Sequence, residues 1–362
     1  MNNKNITTLV TCLILGTFLI LSSCKNSEKK TEVEHIEKTV YANDVIPFFD
    51  DWKLILGDGS NVGIANNFEN KDFFYTTNDG KNDWVVFKAP NGGDTHGTSN
   101  NTRTELAQIK KWYPETADDK LTATLKVMNV SATGDARVAA THAVVVGQIH
   151  SADKHENEPL KIFYKKFPSH TKGSVFWHYE INTLGDDNSG RWDFSTAVWG
   201  NDFSVVGATA DTYPEEPEDG IKLGEEFSYT VEVKDGVMHL TFTSEGHDTK
   251  TFTKNLLVSE YAKKTDIPEQ TQNLFVPMGQ DGVERENAYT GEGCFFKLGC
   301  YNQTNGKSPD INKNWCSGAE THGGDIQKQY ADGNYAEVWF KTASISVSDA
   351  AVSNEGYFTK ND

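Results

Sequence analysis

Three short segments carry side chains suited to moving protons beside an acidic group. Arg103 and Glu105 in NTRTELAQ, Gln148 and His150 in VVVGQIH, and Lys297, Tyr301 and Gln303 in CFFKLGCYNQ keep even spacings. Alternate residues of a strand face the same way, so each segment, if extended, shows its polar set on one face. In the third segment Phe296, Leu298, Cys300 and Asn302 share the opposite face, which reads as core. A guanidinium and an amide can hold a carboxylate, an imidazole can accept a proton near neutral pH, and a phenol can give one to an oxygen. Singly the segments say little. An Arg-x-Glu is usually a surface ion pair, a strand-end histidine is usually structural, and a strand tyrosine usually covers core with its hydroxyl in water.

Such faces need strands to carry them and a curved sheet to bring them together. Runs with period-two alternation recur at residues 84–87, 121–130, 143–150, 161–165, 175–181, 227–233, 237–243, 294–303 and 335–347, bounded by Gly, Asp, Asn or Pro. Lys234, Asp235 and Gly236, between two of these runs, form a hairpin turn signal. No long stretch keeps a helical period, and residues 258–264 are the best candidate for a short helix. The pattern predicts an all-β chain, a sandwich or jelly roll of antiparallel strands. No internal repeat and no Pro- or Ser-rich linker follows Asn43, so residues 45–362 read as a single domain. Residues 183–220, rich in Asp, Gly, Pro and Trp, read as a long loop able to shape one end of a binding site.

The first residues carry one charge, Lys4, followed by an apolar run at 9–21 that is short for a bilayer span and placed as in an export signal. The run ends Leu21-Ser22-Ser23-Cys24, which resembles a bacterial lipoprotein lipobox, and this resemblance implies lipid attachment at Cys24 after removal of residues 1–23. Residues 24–44 hold little to bury and read as a flexible tether. The expected location is therefore outside the cytoplasm, anchored by lipid to the outer membrane or cell surface. The formal net charge of −18 argues against nucleic acid or anionic membrane as partners of the whole molecule, and it requires a locally basic site for any acidic substrate. Of five cysteines, Cys294, Cys300 and Cys316 remain after the leader and Cys24 are set aside. Cys294 and Cys300 are too far apart along one strand to bridge, so Cys316 is expected to pair with either, leaving one thiol free.

Together the three segments offer a cation, an amide, an imidazole, an ammonium and a phenol, a set that suits a polymer of uronic acids. Hydrolysis of a glycosidic bond wants two flanking carboxyl groups, and Glu105 is the only acid among these residues. R-T-E-L at 103–106, Q-I-H at 148–150 and F-K-L-G-C-Y-N-Q at 296–303 resemble, in order, three blocks of the alginate lyases of polysaccharide lyase family 7. The resemblance spans about residues 45–347 and implies a β-jelly roll whose concave sheet forms a substrate groove. It implies that Arg103 and Gln148 neutralise a uronate carboxylate beside His150, that His150 or Tyr301 takes the C5 proton, and that Tyr301 protonates the leaving oxygen. Glu105, Lys297 and Gln303 would bind substrate, with Lys297 on a neighbouring sugar. The product would be an unsaturated uronate end, and no cofactor or metal is implied.

The chain departs from the family's usual R-T-E-L-R at Ala107, where one cleft cation is missing. Ile149 resembles members that accept guluronate or mixed blocks. If Tyr301 is the base, it needs the positive field of Arg103, expected across the cleft; otherwise neutral His150 is the easier base. No histidine cluster has metal-ligand spacing, and a monomer is expected. A rival reading is a non-catalytic polysaccharide-binding lipoprotein on the same sandwich, using Trp177, Trp192, Trp199 and Trp315 as platforms. A β-sandwich hydrolase would need a closely spaced Glu-x-Asp-x-x-Glu run, which the sequence lacks. Whether cleavage is endolytic or exolytic depends on what closes the groove.

Overall fold

The structure is a computed structural model of the chain and describes residues 39–95, 99–153, 158–181, 192–261, 267 and 288–361. The leader, Cys24 and most of the tether lie outside the described residues. Two antiparallel sheets form a jelly-roll sandwich. The first runs, in spatial order, Trp192–Trp199, Lys172–Ile181, Leu160–Lys165, Ala143–Ser151, Cys294–Asn302, Arg103–Gln108, Trp52–Ile55 and Asn61–Gly63, with Ile221–Lys222 added beside Lys172–Ile181. The second runs Lys250–Asn255, Val237–Ser244, Glu226–Lys234, Asp118–Asn129, Tyr335–Ser346, Asp83–Pro90 and Phe74–Asn78. The three polar segments fall on adjacent strands, with Cys294–Asn302 in the middle.

Alternation explains the layering. Leu106, Val144, Val146, Ile149, Phe296, Leu298 and Cys300 of the first sheet meet Leu121, Leu125, Phe87, Val338 and Phe340 of the second in one buried core. Burying such side chains drives the two sheets together. The polar residues between them, Arg103, Glu105, Gln148, His150, Lys297 and Tyr301, are thereby turned to the outer face of the first sheet. The hairpin signal is also realised. Lys234 pairs with Val237, and Asp235 and Gly236 take φ values of 48° and 78°, the left-handed pair that a tight two-residue turn requires.

Two glycines set the register where it matters. A Cβ on Gly147 would lie 2.6 Å from the Tyr229 hydroxyl, which donates 3.1 Å to the Val146 carbonyl from the opposite sheet. Gly299, at φ 148°, lies opposite Glu105, and a Cβ there would stand 2.5 Å from the Thr104 carbonyl oxygen and 2.8 Å from the Glu105 Cα. Both sit at irregularities in the pairing of Ala143–Ser151 with its neighbours. An extra residue within Ala143–Ser151 lets Val145 share the outer face with Gln148, three residues on.

Three expectations are corrected. Part of 183–220 is not loop, since Trp192–Trp199 is the edge strand of the first sheet, with both tryptophans buried in the core. Its Asp, Ser and Thr residues masked the alternation; residues 182–191 lie outside the described residues. Residues 258–261 are not helical, and 262–264 are outside the described residues. Among the described residues the α-helices are instead Ala42–Val45, Ile326–Ala331 and Glu355–Asn361. No disulfide joins Cys316 to Cys294 or Cys300, and all three are buried. Cys294 and Cys300 point into the core, whereas Cys316 follows Trp315, which packs on the outer face, so the sheet separates them.

Gly299→Ala is expected to lower unfolding stability by about 2 kcal/mol or more, because the added methyl meets backbone rather than a side chain that can move. Denaturant titration of the purified variant checks this.

Candidate active site

Register places the candidate residues in rows across the strands. Lys297 pairs with Gln148 on one side and Ala107 on the other, Gln148 pairs with Lys161, and Lys161 with His178. On one side of this row Phe295 pairs with His150; on the other, Tyr301 pairs with Arg103 and Val145. Arg103 is thus Tyr301's neighbour on the next strand rather than a group facing it across a cleft. The Arg103 guanidinium carbon stands 3.8 Å from the centre of the Tyr301 ring.

Glu105 is the hub. Only 2 % exposed, it reaches past the side-chain-free Gly299 so that its Oε1 accepts a hydrogen bond from the Gln148 amide on the far strand. Its Oε2 lies 3.7 Å from an Arg103 Nη1 and 3.5 Å from the Lys297 ammonium. A single carboxylate between two cations leaves the cluster net positive, the local sign that an acidic substrate needs in so acidic a protein. Burial lowers the pKa of Lys297, opposed by Glu105 and reinforced by Arg103. Burial also works against the charge on Arg103, but Tyr301 and Glu105 outweigh it and its pKa lies above the usual value. Arg103 Nη2 donates 2.8 Å to the Ser99 hydroxyl, which lies 3.3 Å from the Tyr301 hydroxyl.

His150 is held for one job. Its Nδ1 lies 2.6 Å from the Ser151 carbonyl oxygen, which can only accept, so Nδ1 carries the proton and Nε2 keeps its lone pair. Burial drives its pKa well below the usual imidazole range, Lys297 lowers it further, the Ser151 carbonyl opposes, and Arg103 and Lys161 add to the fall. The ring is therefore neutral at ordinary pH. Glu158 Oε1 stands 3.7 Å from Nε2, and the Phe295 and Tyr357 rings flank the imidazole, each centred 5.3 Å away.

Arg103 Nε and Gln148 Oε1 are buried without a hydrogen-bond partner among the described residues. Gln303 falls just past the end of its strand, and its amide donates 3.3 Å to the Tyr301 carbonyl. Its visible partner is the protein itself. Ile149 faces the core, so any link between its identity and substrate choice is indirect.

Sequence reasoning overlooked Lys161, Glu158 and Ser99. Lys161 alternates with Phe163 and Lys165 on the same outer face, a legible signal, and its ammonium sits 3.1 Å from Glu158 and 2.6 Å from Glu180. Ser99 and Glu158 lie outside regular strands and offered none. His178, Glu180 and Asp193 bring ligand atoms within 4.8 Å of one another, a grouping the sequence spacing did not reveal because two strands contribute. His178 Nδ1 lies 2.9 Å from Asp193, an arrangement that already pairs a buried imidazole with a carboxylate.

The jelly roll, with a guanidinium, an amide, a neutral imidazole and a phenol gathered on its outer face, is that of a carbohydrate-active enzyme of the lyase kind. The alginate lyase family profile matches residues 46–347, and the chain belongs to the alginate lyases of polysaccharide lyase family 7. The solved exolytic PL7 alginate lyase AlyA5 from Zobellia galactanivorans is 62 % identical, with a TM-score of 0.81 over 86 % of this chain and 99 % of that one. A curated alginate lyase from Klebsiella pneumoniae is 27 % identical over 280 residues, which is 68 % of this chain and 76 % of its own length. The solved alginate lyase from Klebsiella pneumoniae, 22 % identical with a TM-score of 0.57, shares the fold over 83 % of this chain and 96 % of its own.

Glu105→Gln is expected to destabilise the fold by about 3 kcal/mol, since it leaves two buried cations without their counter-charge. Glu105→Gln/Lys297→Met is expected to recover part of that loss, as urea unfolding of both variants will report.

Proposed function

We propose that this alginate lyase cleaves the 1,4-linkages of its polyuronate by β-elimination, with the uronate carboxylate held by Arg103 and Gln148. Drawing charge from that carboxylate makes the C5 hydrogen more acidic. His150 Nε2 removes it, and the Tyr301 hydroxyl protonates the departing glycosidic oxygen. The C5–H and C4–O bonds break, a C4–C5 double bond forms, and water is not consumed. The observation that carries this reading is the neutral His150, its proton held on Nδ1 by the Ser151 carbonyl and its Nε2 lone pair kept, on the same sheet face as the Gln148 amide. Glu105 serves by positioning Gln148, Arg103 and Lys297 rather than by touching sugar.

The same arrangement favours guluronate-containing blocks. His150 and Tyr301 stand on opposite flanks of the Lys297–Gln148 row, and guluronate presents its C5–H and C4–O bonds on opposite faces of the ring. A base on one side and an acid on the other suit that geometry. Action from chain ends, the mode named for the Zobellia relative, is part of the proposal. A purely binding role is disfavoured, because Trp177, Trp192 and Trp199 are buried in the core and cannot serve as sugar platforms. Only Trp315 packs on the outer face. We also propose that Cys24 carries lipid, which tethers the enzyme at the cell surface; a Cys24→Ala chain released from the membrane fraction would support this, and one still retained would refute it.

His150→Ala is expected to lose about a hundredfold or more in turnover on guluronate-rich alginate, followed by the ultraviolet absorbance of the new double bond. Tyr301→Phe should lose turnover on every block type while still binding. Near-normal rates in either folded variant would defeat the assignment. Because protonated His150 cannot act as base, and its pKa is lowered, the acid limb of kcat/KM is expected below the usual imidazole value of about 6.5. A rate that rises only toward the tyrosine range would instead make Tyr301 the base.

A further inference from the structure

The short C-terminal helix Glu355–Asn361 has no part in the chemistry above, yet it lies against the site. Just before it, Val352–Ser353 pair antiparallel with Lys110–Lys111, which extend the line of the Arg103 strand, and the Asn354 N–H donates 2.8 Å to the Ile109 carbonyl. From that anchor the chain turns over the outer face of the first sheet. Phe358, 2 % exposed, packs on Ala107 and Phe295, with Ile109, Ala152 and Tyr357 around them. The Lys53 ammonium sits 4.6 Å from the centre of the Phe358 ring. The Tyr357 ring, tilted to that of Phe295 and centred 4.8 Å from it, stands beside His150, with the Lys297 ammonium 5.9 Å from its ring centre.

This position lies in line with the row of polar residues. Read across the strands, Lys53, Ala107, Lys297, Gln148, Lys161 and His178 stand in register. Neighbouring strands are about 4.8 Å apart, so a polymer lying across them meets a new side chain at each strand. Because Tyr301 and His150 flank this row on its two sides, a sugar presented to both lies along the row. From His178 to Lys297 the row is polar. At Ala107 the polarity stops and the Phe358 ring lies on the floor. A polymer heading past Lys297 therefore meets the helix, where the Phe358 ring, with the Lys53 ammonium against it, fills the space over Ala107 that the next sugar would need.

We propose that the C-terminal helix is the end-stop of the groove, with Phe358 seated on Ala107 as its plug, and that it confines cleavage to chain ends. An enzyme that cuts within a chain must let the polymer continue on both sides of the scissile bond. Here one side closes directly after Lys297. Ala107 and Phe358 are one device, since a long cationic side chain at 107 would need the space that the ring fills. The inference rests on the lyase reading and deepens it by naming what fixes the mode of attack.

The test compares the full chain with a chain ending at Asn354 and with Phe358→Ser, on high-molecular-mass alginate. Viscosity, unsaturated ends and product sizes are followed together, and thermal unfolding verifies that the sheets remain folded. The full chain is expected to yield small products from the start with little fall in viscosity per unsaturated end. The chain ending at Asn354 is expected to drop viscosity early and shift its first products to longer oligosaccharides, with Phe358→Ser shifting in the same direction. Folded variants that keep the small-product profile would overturn the end-stop while leaving the lyase reading intact. Long first products from the full chain would overturn it as well. A full chain that forms no unsaturated ends would defeat the lyase reading and this inference with it.

Discussion

The site depends on one buried carboxylate. Glu105 is enclosed, and a buried charge is tolerable only with partners of opposite sign and good hydrogen bonds. It finds these by crossing over Gly299 to the Gln148 amide while Arg103 and Lys297 approach its other oxygen. That single contact set joins three strands on their outer face and ties the Arg103, Gln148 and Lys297 side chains together. It also leaves the cluster positive by one charge within an acidic molecule. The core beneath supplies rigidity, but the geometry of the polar layer follows from Glu105 and from the absence of a side chain at 299.

Much of this was legible in the sequence. Period-two alternation located the strands that carry the site, and parity alone put Arg103 with Glu105, Gln148 with His150, and Lys297 with Tyr301 on common faces, because side-chain direction along a strand is fixed by backbone geometry. The three ordered blocks gave the family. The role of Glu105 was not legible, since an acid beside an arginine looks the same whether it meets a substrate or crosses a glycine to a third strand. Arg103 was placed across a cleft for the same reason. Parity gives the face, while strand order decides which strands are neighbours.

The remaining misses share a physical origin. Trp192–Trp199 was hidden because an edge strand with Asp, Ser and Thr between its tryptophans lacks a clean alternation. The expected bridge to Cys316 rested on an oxidising compartment and on elimination, and neither says on which side of the sheet a cysteine outside the strands will lie. The C-terminal helix gave no signal, for seven residues with few apolar side chains cannot show a period, and its contacts with Ala107 and His150 are long-range. The missing arginine at 107 was visible as an omission. Only the structure shows that an aromatic ring lies on that spot.

The central claim is that Glu105 holds Arg103 and Gln148 ready for a uronate carboxylate so that C5 of the same sugar faces His150 Nε2. The crystal structure of Tyr301→Phe soaked with a guluronate-containing oligosaccharide tests this most directly. The account predicts the carboxylate between the Arg103 guanidinium and the Gln148 amide, with the C5 hydrogen directed at Nε2 and Glu105 still bound to Gln148. A carboxylate seated elsewhere, or a sugar whose C5 points away from His150, would contradict it.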